Sequence, residues 1–383
     1  MSYCLEIDPS RPTRAEISIP ALINNFQIAR EMTAPGTHII AMVKANAYGH
    51  GILRVTRELI AAGVDYLGVA YLEEALYLRK CGITAPIIVL GAVNSWQIDE
   101  FINHDIEITS SSLAKSQAIS ETAVRLHKTA RVHLKIDTGM GRIGVQWYNA
   151  EKFIKDSQEL PNLAIIGLFS HFAKADCDPG FTGLQIERFS KIANQLNREN
   201  RCPSLLHIAN SAGLLNFPES HFNTVRPGLM LYGYNPNGYL PKARFNDREL
   251  LPVMTLKTKV SYFKVLPPDS GISYNHTYTT SKQTRIVTLP IGYGDGYPRL
   301  LSNKGQVVIR GQQYQIAGNI CMDQMMIDIG SDGTAYNGDD VLLFGRCGQS
   351  RIPLESLADA IGTITYELLC QIGNRVPRIY LSN

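Results

Sequence analysis

The chain has 383 residues, a net charge of +3 at pH 7, 45% hydrophobic residues and 19% charged residues. This length exceeds one average domain, so we expect one large domain and one smaller domain. The small charge does not suggest a nucleic-acid partner. The opening residues, MSYCLEIDPSR, lack the basic and apolar regions of a signal peptide, and no apolar stretch is long enough to span a bilayer. We therefore expect a cytoplasmic protein that does not bind membranes.

Cysteine and histidine usage gives no indication of disulfides or of a metal centre. The seven cysteines are scattered, odd in number and never spaced as CxxC, which is typical of reduced thiols. The nine histidines show no HExxH spacing. We expect no metal.

The first part of the chain alternates predicted strands and helices. After an amphipathic stretch over residues 22–32 come eight short apolar runs: HIIAMVK, YLGVA, PIIVLG, IEITS, RVHLKID, IIGLFSH, LLHIAN and VRPGLMLYG. Segments with helical spacing lie between them, among them EEALYLRKCG and LQIERFSKIANQL. Eight repeats predict an α/β fold, a TIM-like (β/α)8 barrel over residues 1–238, with catalytic groups at the C-terminal ends of the strands. A doubly wound open sheet is the alternative.

The pattern changes after Tyr234. A turn-rich stretch, YNPNGYLPKARFNDRELLP, is followed by VMTLKTKVSYFKVL, RIVTLPIGY, QVVIRG and QMMIDIG, with little helix before SLADAIG. We predict a mostly β domain over residues 239–383, which residues 1–13 can join.

Two strand ends carry side chains suited to amine and carboxylate chemistry. Lys44, in VKANAYGHG, would lie at the mouth of the barrel, where burial lowers the pKa of an amine and frees it for covalent chemistry. Arg142, in KIDTGMGRIG, could form a fork for a substrate carboxylate beside a glycine-rich turn. Alternatively, either residue is a solvated side chain at a strand end.

The last three strands suggest an anion site. SHFAKAD and HIANSAG end the sixth and seventh strands, and VRPGLMLYG contains the eighth. Backbone amides near strands seven and eight of such barrels often bind phosphate. Arg226 carries donors only, so it can donate a hydrogen bond but does not readily release a proton.

These motifs resemble, in the same order and over nearly the whole chain, those of alanine racemases, a barrel-type (fold-type III) family of pyridoxal-phosphate enzymes. VKANAYGHG resembles their cofactor-lysine motif, and GISYNHTY resembles their GxSYGxTY motif. The resemblance implies an isomerase that interconverts L- and D-alanine with pyridoxal 5'-phosphate and provides D-alanine for peptidoglycan. Lys44 would hold the cofactor and serve the D-alanine proton, and Tyr274 would serve the L-alanine proton.

The resemblance also assigns roles to other residues. It implies substrate binding by Arg142 and Met322, and an entry-channel position for Tyr293. Lys135 matches a lysine that can be carbamylated. Cofactor contacts are implied for Tyr48, His171, Ser211, Arg226, Gly228, Leu229 and Tyr366. At the pyridine nitrogen, Arg226 would leave the ring unprotonated and limit its capacity as an electron sink.

The resemblance further implies a homodimer with shared sites. Tyr274, Tyr293 and Met322 would complete the active site of the neighbouring subunit. The sequence departs from the family pattern at Asn275, where glycine commonly follows the tyrosine. Asparagine tolerates left-handed backbone better than most residues, so we expect the turn to be retained.

Three other functions compete with this interpretation. A broad-specificity amino-acid racemase would use the same two bases on a larger substrate. A barrel-type decarboxylase is disfavoured because it places an acidic residue where Arg226 stands. A non-catalytic pyridoxal-phosphate carrier, from a different class, would lack the β domain.

Overall fold

The computed structural model describes residues 10–236 and 248–382. The chain forms two compact units. The barrel unit comprises Leu22–Ala47 and Ile52–Leu251, and the C-terminal unit comprises Met1–Ala21, Tyr48–Gly51 and Pro252–Asn383. The boundary predicted between residues 238 and 239 lies outside the described residues.

The C-terminal unit contains the first strand, β1 (Arg14–Ser18), and the barrel unit contains the next nine. All nine pair in parallel, and eight of them close into a ring in the order β5-β4-β3-β2-β10-β9-β8-β6, with β6 pairing back onto β5 and β7 pairing with β6 outside the ring. The nine strands are β2 (His38–Met42), β3 (Tyr66–Val69), β4 (Ile87–Val89), β5 (Glu107–Ser110), β6 (Ala130–Asp137), β7 (Val145–Gln146), β8 (Leu163–Phe169), β9 (Leu205–His207) and β10 (Thr224–Val225). The predicted barrel is confirmed.

Helices follow the strands, as the alternation predicted. The segment before Phe181 shows why one of them begins where it does: Asp178 accepts a hydrogen bond from the Phe181 amide at 3.0 Å, and proline occupies the first helical position. The helices are α1 (Ile19–Glu31), α2 (Ile52–Ala61), α3 (Leu72–Lys80), α4 (Ile98–Asn103), α5 (Leu113–Arg125), α6 (Ala150–Gln158), α7 (Pro179–Arg198) and α8 (Ser211–Asn216).

The eighth repeat is shorter as a strand than its apolar run suggests. Strand β10 has only two residues, and the apolar LMLY segment forms a buried 3-10 turn over Leu229–Tyr232. Pro227 lacks a backbone N–H, so the ladder ends there. The Pro227 carbonyl still accepts a bond from the Met42 amide at 3.0 Å, which ties this loop to the end of β2.

The C-terminal unit is mostly β, as predicted. Its largest sheet has the order β17-β16-β19-β11-β1-β21, with β20 paired to β19. A three-stranded sheet has the order β12-β15-β18, and β13 pairs with β14. The strands are β11 (Met254–Lys259), β12 (Tyr262–Leu266), β13 (Gly271–Ile272), β14 (Tyr278–Thr279), β15 (Thr284–Leu289), β16 (Gln306–Ile309), β17 (Gln312–Gln315), β18 (Met325–Asp328), β19 (Asp340–Cys347), β20 (Ser350–Ile352) and β21 (Arg378–Leu381); the helices are α9 (Leu354–Ile361) and α10 (Thr365–Gln371).

Strand β1 joins this unit rather than the barrel. The predicted barrel begins no later than residue 14, but β1 pairs antiparallel with β11 and parallel with β21. Ala15 and Ile17 are fully buried and alternate with half-buried residues. This period of two means that one face of β1 packs against the core of this unit, while β11 and β21 pair with its two edges.

The described residues contain no helix that is long and apolar enough to cross a membrane. No disulfide joins the six cysteines among them. No group of three metal-ligating side chains occurs within the same part of the chain.

Candidate active site

Lys44 lies just beyond β2 at the start of a left-handed turn. Residues 45–47 have φ between 52° and 55°, a conformation that costs L-amino acids on the order of 1 kcal/mol each. Two side chains hold this turn: Glu74 accepts a bond from the Ala45 amide at 2.6 Å, and Asn46 accepts one from the Ile52 amide at 2.8 Å. The strained backbone therefore sets the position of the lysine.

Arg226 follows β10 and is buried among acceptors. Its Nη1 donates to His207 Nδ1 at 2.7 Å and to the His207 carbonyl at 2.8 Å. Its Nη2 donates to His171 Nδ1 at 3.2 Å and to the carbonyls of Ser170 and Ile208 at 2.8 and 3.1 Å. Within the described chain, no hydrogen bond of Arg226 uses Nε. One N–H of a rigid guanidinium is therefore left to donate to a bound molecule.

Burial and the charge of Arg226 together keep the surrounding histidines neutral. Burial, and then the nearby Arg142, lowers the pKa of Arg226 to about 9, so the guanidinium stays protonated at neutral pH. Burial, followed by the charge of Arg226, lowers the pKa of both His171 and His207 well below the usual range. Each neutral histidine accepts from Arg226 on Nδ1, so each carries its proton on Nε2.

Ser211, Gly228 and Leu229 come together at the ends of strands β9 and β10. The Ser211 hydroxyl accepts hydrogen bonds from the amides of Gly228 and Met230, at 2.9 and 3.3 Å. Leu229 begins the buried 3-10 turn that follows. Ser211 accepts in both bonds, so its own O–H is a donor, and a donor hydroxyl beside Gly228 at the start of a turn suits a phosphate.

Lys135 and Arg142 flank the same strand end. Lys135 is buried on β6, with Nζ 4.4 Å from the centre of the Phe169 ring. Burial, followed by the charges of Arg226 and Arg142, lowers the pKa of Lys135 well below its ordinary value. Arg142 is exposed after β6, where a carboxylate could reach it.

In the C-terminal unit, Tyr274 lies in a strained loop and is 70% exposed. Ser273 has φ 63° and ψ −173°, a region otherwise nearly restricted to glycine. Its hydroxyl donates to the Asn319 carbonyl at 2.5 Å, and the Asn319 amide donates to the Tyr274 carbonyl at 2.7 Å. Asn275 has φ 62° and ψ 8°, the left-handed conformation expected for it.

The loop of Tyr274 borders an open cleft of about 690 Å³ that also contains Met322. Tyr293 is tied to the same region because its amide donates to the Cys321 carbonyl at 3.1 Å, and the next amide, of Gly294, donates to the Met322 carbonyl at 2.8 Å. The structure thus places Tyr274 and Met322 on one cleft and Tyr293 beside it.

Tyr48 and Tyr366 form a separate pair in the C-terminal unit, with ring centres 6.0 Å apart. Burial, and then the proximity of Tyr366, raises the pKa of Tyr48, so its hydroxyl stays protonated. The candidate residues therefore fall into two groups. The barrel unit carries the following: Lys44, Lys135, Arg142, His171, Ser211, Arg226, Gly228 and Leu229. The C-terminal unit carries the rest.

Comparisons with family models and with known proteins identify the family of this chain. The model for the N-terminal domain of alanine racemase matches residues 17–236, and the model for its C-terminal domain matches residues 253–380. The chain belongs to the alanine racemase family. Alanine racemases are isomerases, and among similar chains the Halothermothrix orenii alanine racemase is 41% identical over 372 residues, covering 97% of each chain.

Solved alanine racemases share the whole fold. The Clostridium difficile 630 alanine racemase superposes with a TM-score of 0.92 at 38% identity, covering 98% of this chain and 97% of that one. The same enzyme in complex with cycloserine gives a TM-score of 0.89 at 36% identity, with the same coverage. The match includes both units, which a lone barrel carrier would not produce.

Three polar residues in the barrel interior were not predicted from the sequence. Glu107, His133 and His207 lie in the runs IEITS, RVHLKID and LLHIAN, and each is almost fully buried. A polar residue inside an otherwise apolar strand was the available signal, because a buried polar side chain needs a hydrogen-bond partner.

Proposed function

We propose that this chain interconverts L- and D-alanine by a two-base mechanism with pyridoxal 5'-phosphate, as a homodimer with shared active sites. The observation that carries the proposal is the donor set of Arg226. Four of its N–H groups donate to protein acceptors, and Nε–H remains to donate to a bound molecule. Lys44 follows the neighbouring strand β2.

The residues present fit this cofactor. Arg226 Nε–H suits an aromatic ring nitrogen, which is an acceptor. Ser211, Gly228 and Leu229 suit a phosphate, with Tyr48 and Tyr366 as further hydroxyl donors, and Lys44 Nζ suits the aldehyde carbon. When bound, pyridoxal 5'-phosphate supplies an electron sink that acidifies the alpha C–H of an amino acid.

Two groups of the chain then handle protons on opposite faces of the alpha carbon. Lys44 Nζ removes or returns the proton of D-alanine, and Tyr274 Oη does the same for L-alanine. One base cannot reach both faces. Arg142 binds the substrate carboxylate, and Met322 and Tyr293 narrow the approach, which favours a side chain as small as a methyl group.

A tyrosine with a reference pKa of about 10 needs help to act as a base at neutral pH. His171 accepts from Arg226 on Nδ1, so its Nε2–H is a donor that can stabilise a phenolate. In the proposed dimer, His171 of one subunit and Tyr274 of the other would meet in this way.

Exchange of the alpha proton in heavy water tests cofactor, substrate and both bases together. Each alanine enantiomer is incubated with the enzyme and deuterium uptake is followed by NMR. Lys44→Ala is expected to abolish the cofactor absorbance and all exchange. Tyr274→Phe is expected to keep that absorbance and lose exchange of L-alanine more than that of D-alanine. Equal loss for both enantiomers would contradict the two-base assignment.

The same proposal includes a cytoplasmic role in peptidoglycan synthesis. A D-alanine auxotroph that expresses the chain should grow without added D-alanine, while the Lys44→Ala variant should not support growth. A substrate panel with serine and lysine distinguishes alanine specificity from broad specificity. Racemisation of lysine at a rate comparable to that of alanine would favour the broad-specificity alternative.

Lys135 is the proposed site of a carbamate. An uncharged amine adds carbon dioxide to give a carbamate and a proton, and the lowered pKa of Lys135 favours that uncharged form. The new negative charge would face Arg142, whose charge already acts on this lysine. NMR of enzyme prepared with carbon-13 bicarbonate is expected to show one carbamate signal that is absent in Lys135→Gln.

A further inference from the structure

Behind Arg226, a line of buried polar side chains crosses the barrel interior. His207 Nε2 lies 3.0 Å from His133 Nδ1, and His133 Nε2 lies 2.8 Å from Glu107 Oε2. Arg131 donates to the other oxygen of Glu107 from Nε and Nη2, at 3.0 and 2.8 Å. Glu107 begins β5 and His207 ends β9, so the line runs from the N-terminal to the C-terminal end of the barrel.

The direction of every hydrogen bond in this line follows from its two ends. Arg226 has donors only, so His207 must accept on Nδ1 and carry its proton on Nε2. That N–H points at His133 Nδ1, which must accept, so the His133 proton lies on Nε2. A carboxylate has acceptors only, so Glu107 accepts the hydrogen bond that His133 Nε2–H donates. Both ends thus require the same tautomers.

Glu107 is ionised within this line. Burial raises its pKa, but the hydrogen bonds from His133 and Arg131 and the charge of Arg131 outweigh burial, and the pKa of Glu107 lies below its ordinary value. Its negative charge polarises the two imidazoles in turn and makes His207 Nδ1 a stronger acceptor for Arg226.

The backbone makes room for His133. On strand β8, a Cβ added at Gly167 would lie only 1.9 Å from His133 Nδ1. The pairing of β6 with β8 shifts register between Val132 and His133, which brings Gly167 opposite the histidine. Bulges of this kind often re-aim side chains near active sites. The strand pairing is therefore adapted to this ring.

We infer that Glu107 and His133 are positioning residues: acting through His207, they orient the Arg226 guanidinium so that its Nε–H faces the cofactor. Neither residue needs to touch the substrate or the cofactor. The kinetic part of this inference rests on the proposed role of Arg226, whereas the tautomers can be measured without any assumption about the substrate.

The tautomers are tested by long-range proton–nitrogen NMR on cofactor-loaded enzyme labelled with nitrogen-15 histidine. Signals of His133 and His207 are assigned by their loss in His133→Gln and His207→Gln. Both are expected to be neutral with the proton on Nε2. A proton on Nδ1 of either ring, or a charged ring at neutral pH, would overturn the inference even if alanine is racemised normally.

Two substitutions at His133 separate positioning from packing. His133→Gln keeps an acceptor and a donor on one rigid plane, while His133→Met keeps volume alone. The Met variant is expected to lose about tenfold in kcat with little change in KM, because a tenfold loss corresponds to one hydrogen bond to a charged group. The Gln variant is expected to recover most of that loss. Equal losses in both variants would show a packing role and refute the inference.

Glu107 is tested in the same way, with His221 as the matched control. Glu107→Gln keeps an acceptor without the charge and should lose less kcat than Glu107→Met. His221 is a buried histidine whose Nε2 bonds the Leu214 carbonyl at 2.9 Å, away from this line. His221→Met should leave kcat and the His207 signals unchanged. A comparable kcat loss in His221→Met would mean that any buried histidine matters, contrary to the inference.

Discussion

Lysine could not replace Arg226, because the two side chains present different sets of hydrogen-bond donors. A guanidinium presents its donors in one rigid plane, and here four N–H groups meet two histidine nitrogens and three carbonyl oxygens. Lysine has three donors on a flexible stem and cannot reach these acceptors together.

Arg226→Lys should therefore lose at least about 100-fold in kcat, because two or more charge-assisted hydrogen bonds are lost. Steady-state kinetics with alanine checks this. The matched control is Arg79→Lys, since Arg79 donates to four backbone carbonyls elsewhere in the barrel unit. Arg79→Lys should unfold at lower urea concentration yet keep its kcat. A similar kcat loss in both variants would contradict a specific role for Arg226.

The two buried histidines at the ends of barrel strands should make the stability of the folded chain depend on pH. His171 and His207 have lowered pKa values when folded and titrate near pH 6.5 when unfolded. Below pH 6.5 the unfolded chain binds protons that the folded chain does not, so stability falls as pH falls. The expected slope is about 1.4 kcal/mol per pH unit for each histidine.

Urea unfolding of the enzyme between pH 6.5 and 5 measures this slope. His171→Gln keeps an acceptor for Arg226 and removes one titrating group. Its free energy of unfolding should therefore change with pH by about 1.4 kcal/mol per pH unit less than that of the wild type. An unchanged slope would mean that His171 is already protonated in the folded enzyme.

The loop that carries Tyr274 is held in place by a side-chain hydrogen bond whose removal can be tested. Asn319 donates to the Tyr274 carbonyl and holds a backbone that Ser273 and Asn275 leave at positive φ. Asn319→Ala should lower kcat about fivefold through one lost hydrogen bond, without altering the cofactor absorbance. As a control, Asn216→Ala removes an amide-to-carbonyl bond in the barrel unit and should leave kcat unchanged. Normal kcat in Asn319→Ala would show that this bond does not position the tyrosine.

At the scale of the whole molecule, the proposed dimer predicts complementation between inactive subunits. Mixing Lys44→Ala with Tyr274→Phe should restore about a quarter of wild-type activity, since half of the randomly mixed dimers are hybrids with one intact site of two. The control pair is Lys44→Ala with Arg226→Ala. Both of those residues lie in the barrel unit, so no hybrid contains an intact site. Rescue by the control pair, or failure of the first pair, would contradict shared sites.

The architecture and the family could both be predicted from the amino-acid sequence. Eight apolar runs separated by helical spacing predicted the barrel. A parallel strand buried on both faces is a short continuous apolar run, which can be recognised without knowing its contacts. The motif that carries Lys44 follows a barrel strand, and the motif that carries Tyr274 lies in the β domain, as predicted, whereas the backbone strain of the Tyr274 loop was not predicted. The left-handed conformation of Asn275 was also predictable, since the tolerance of asparagine for that conformation is a local property.

Which residues act on one another could not be predicted, because it depends on contacts between distant parts of the chain. Strand β1 joins the sheet of the C-terminal unit through partners more than 200 residues away in the chain, a pairing that no local pattern specifies. The line from Glu107 through His133 and His207 to Arg226 is likewise assembled from four different strands and strand ends. Its polarity and its lowered pKa values come from burial and from the meeting of distant charges, which exist only once the barrel has closed.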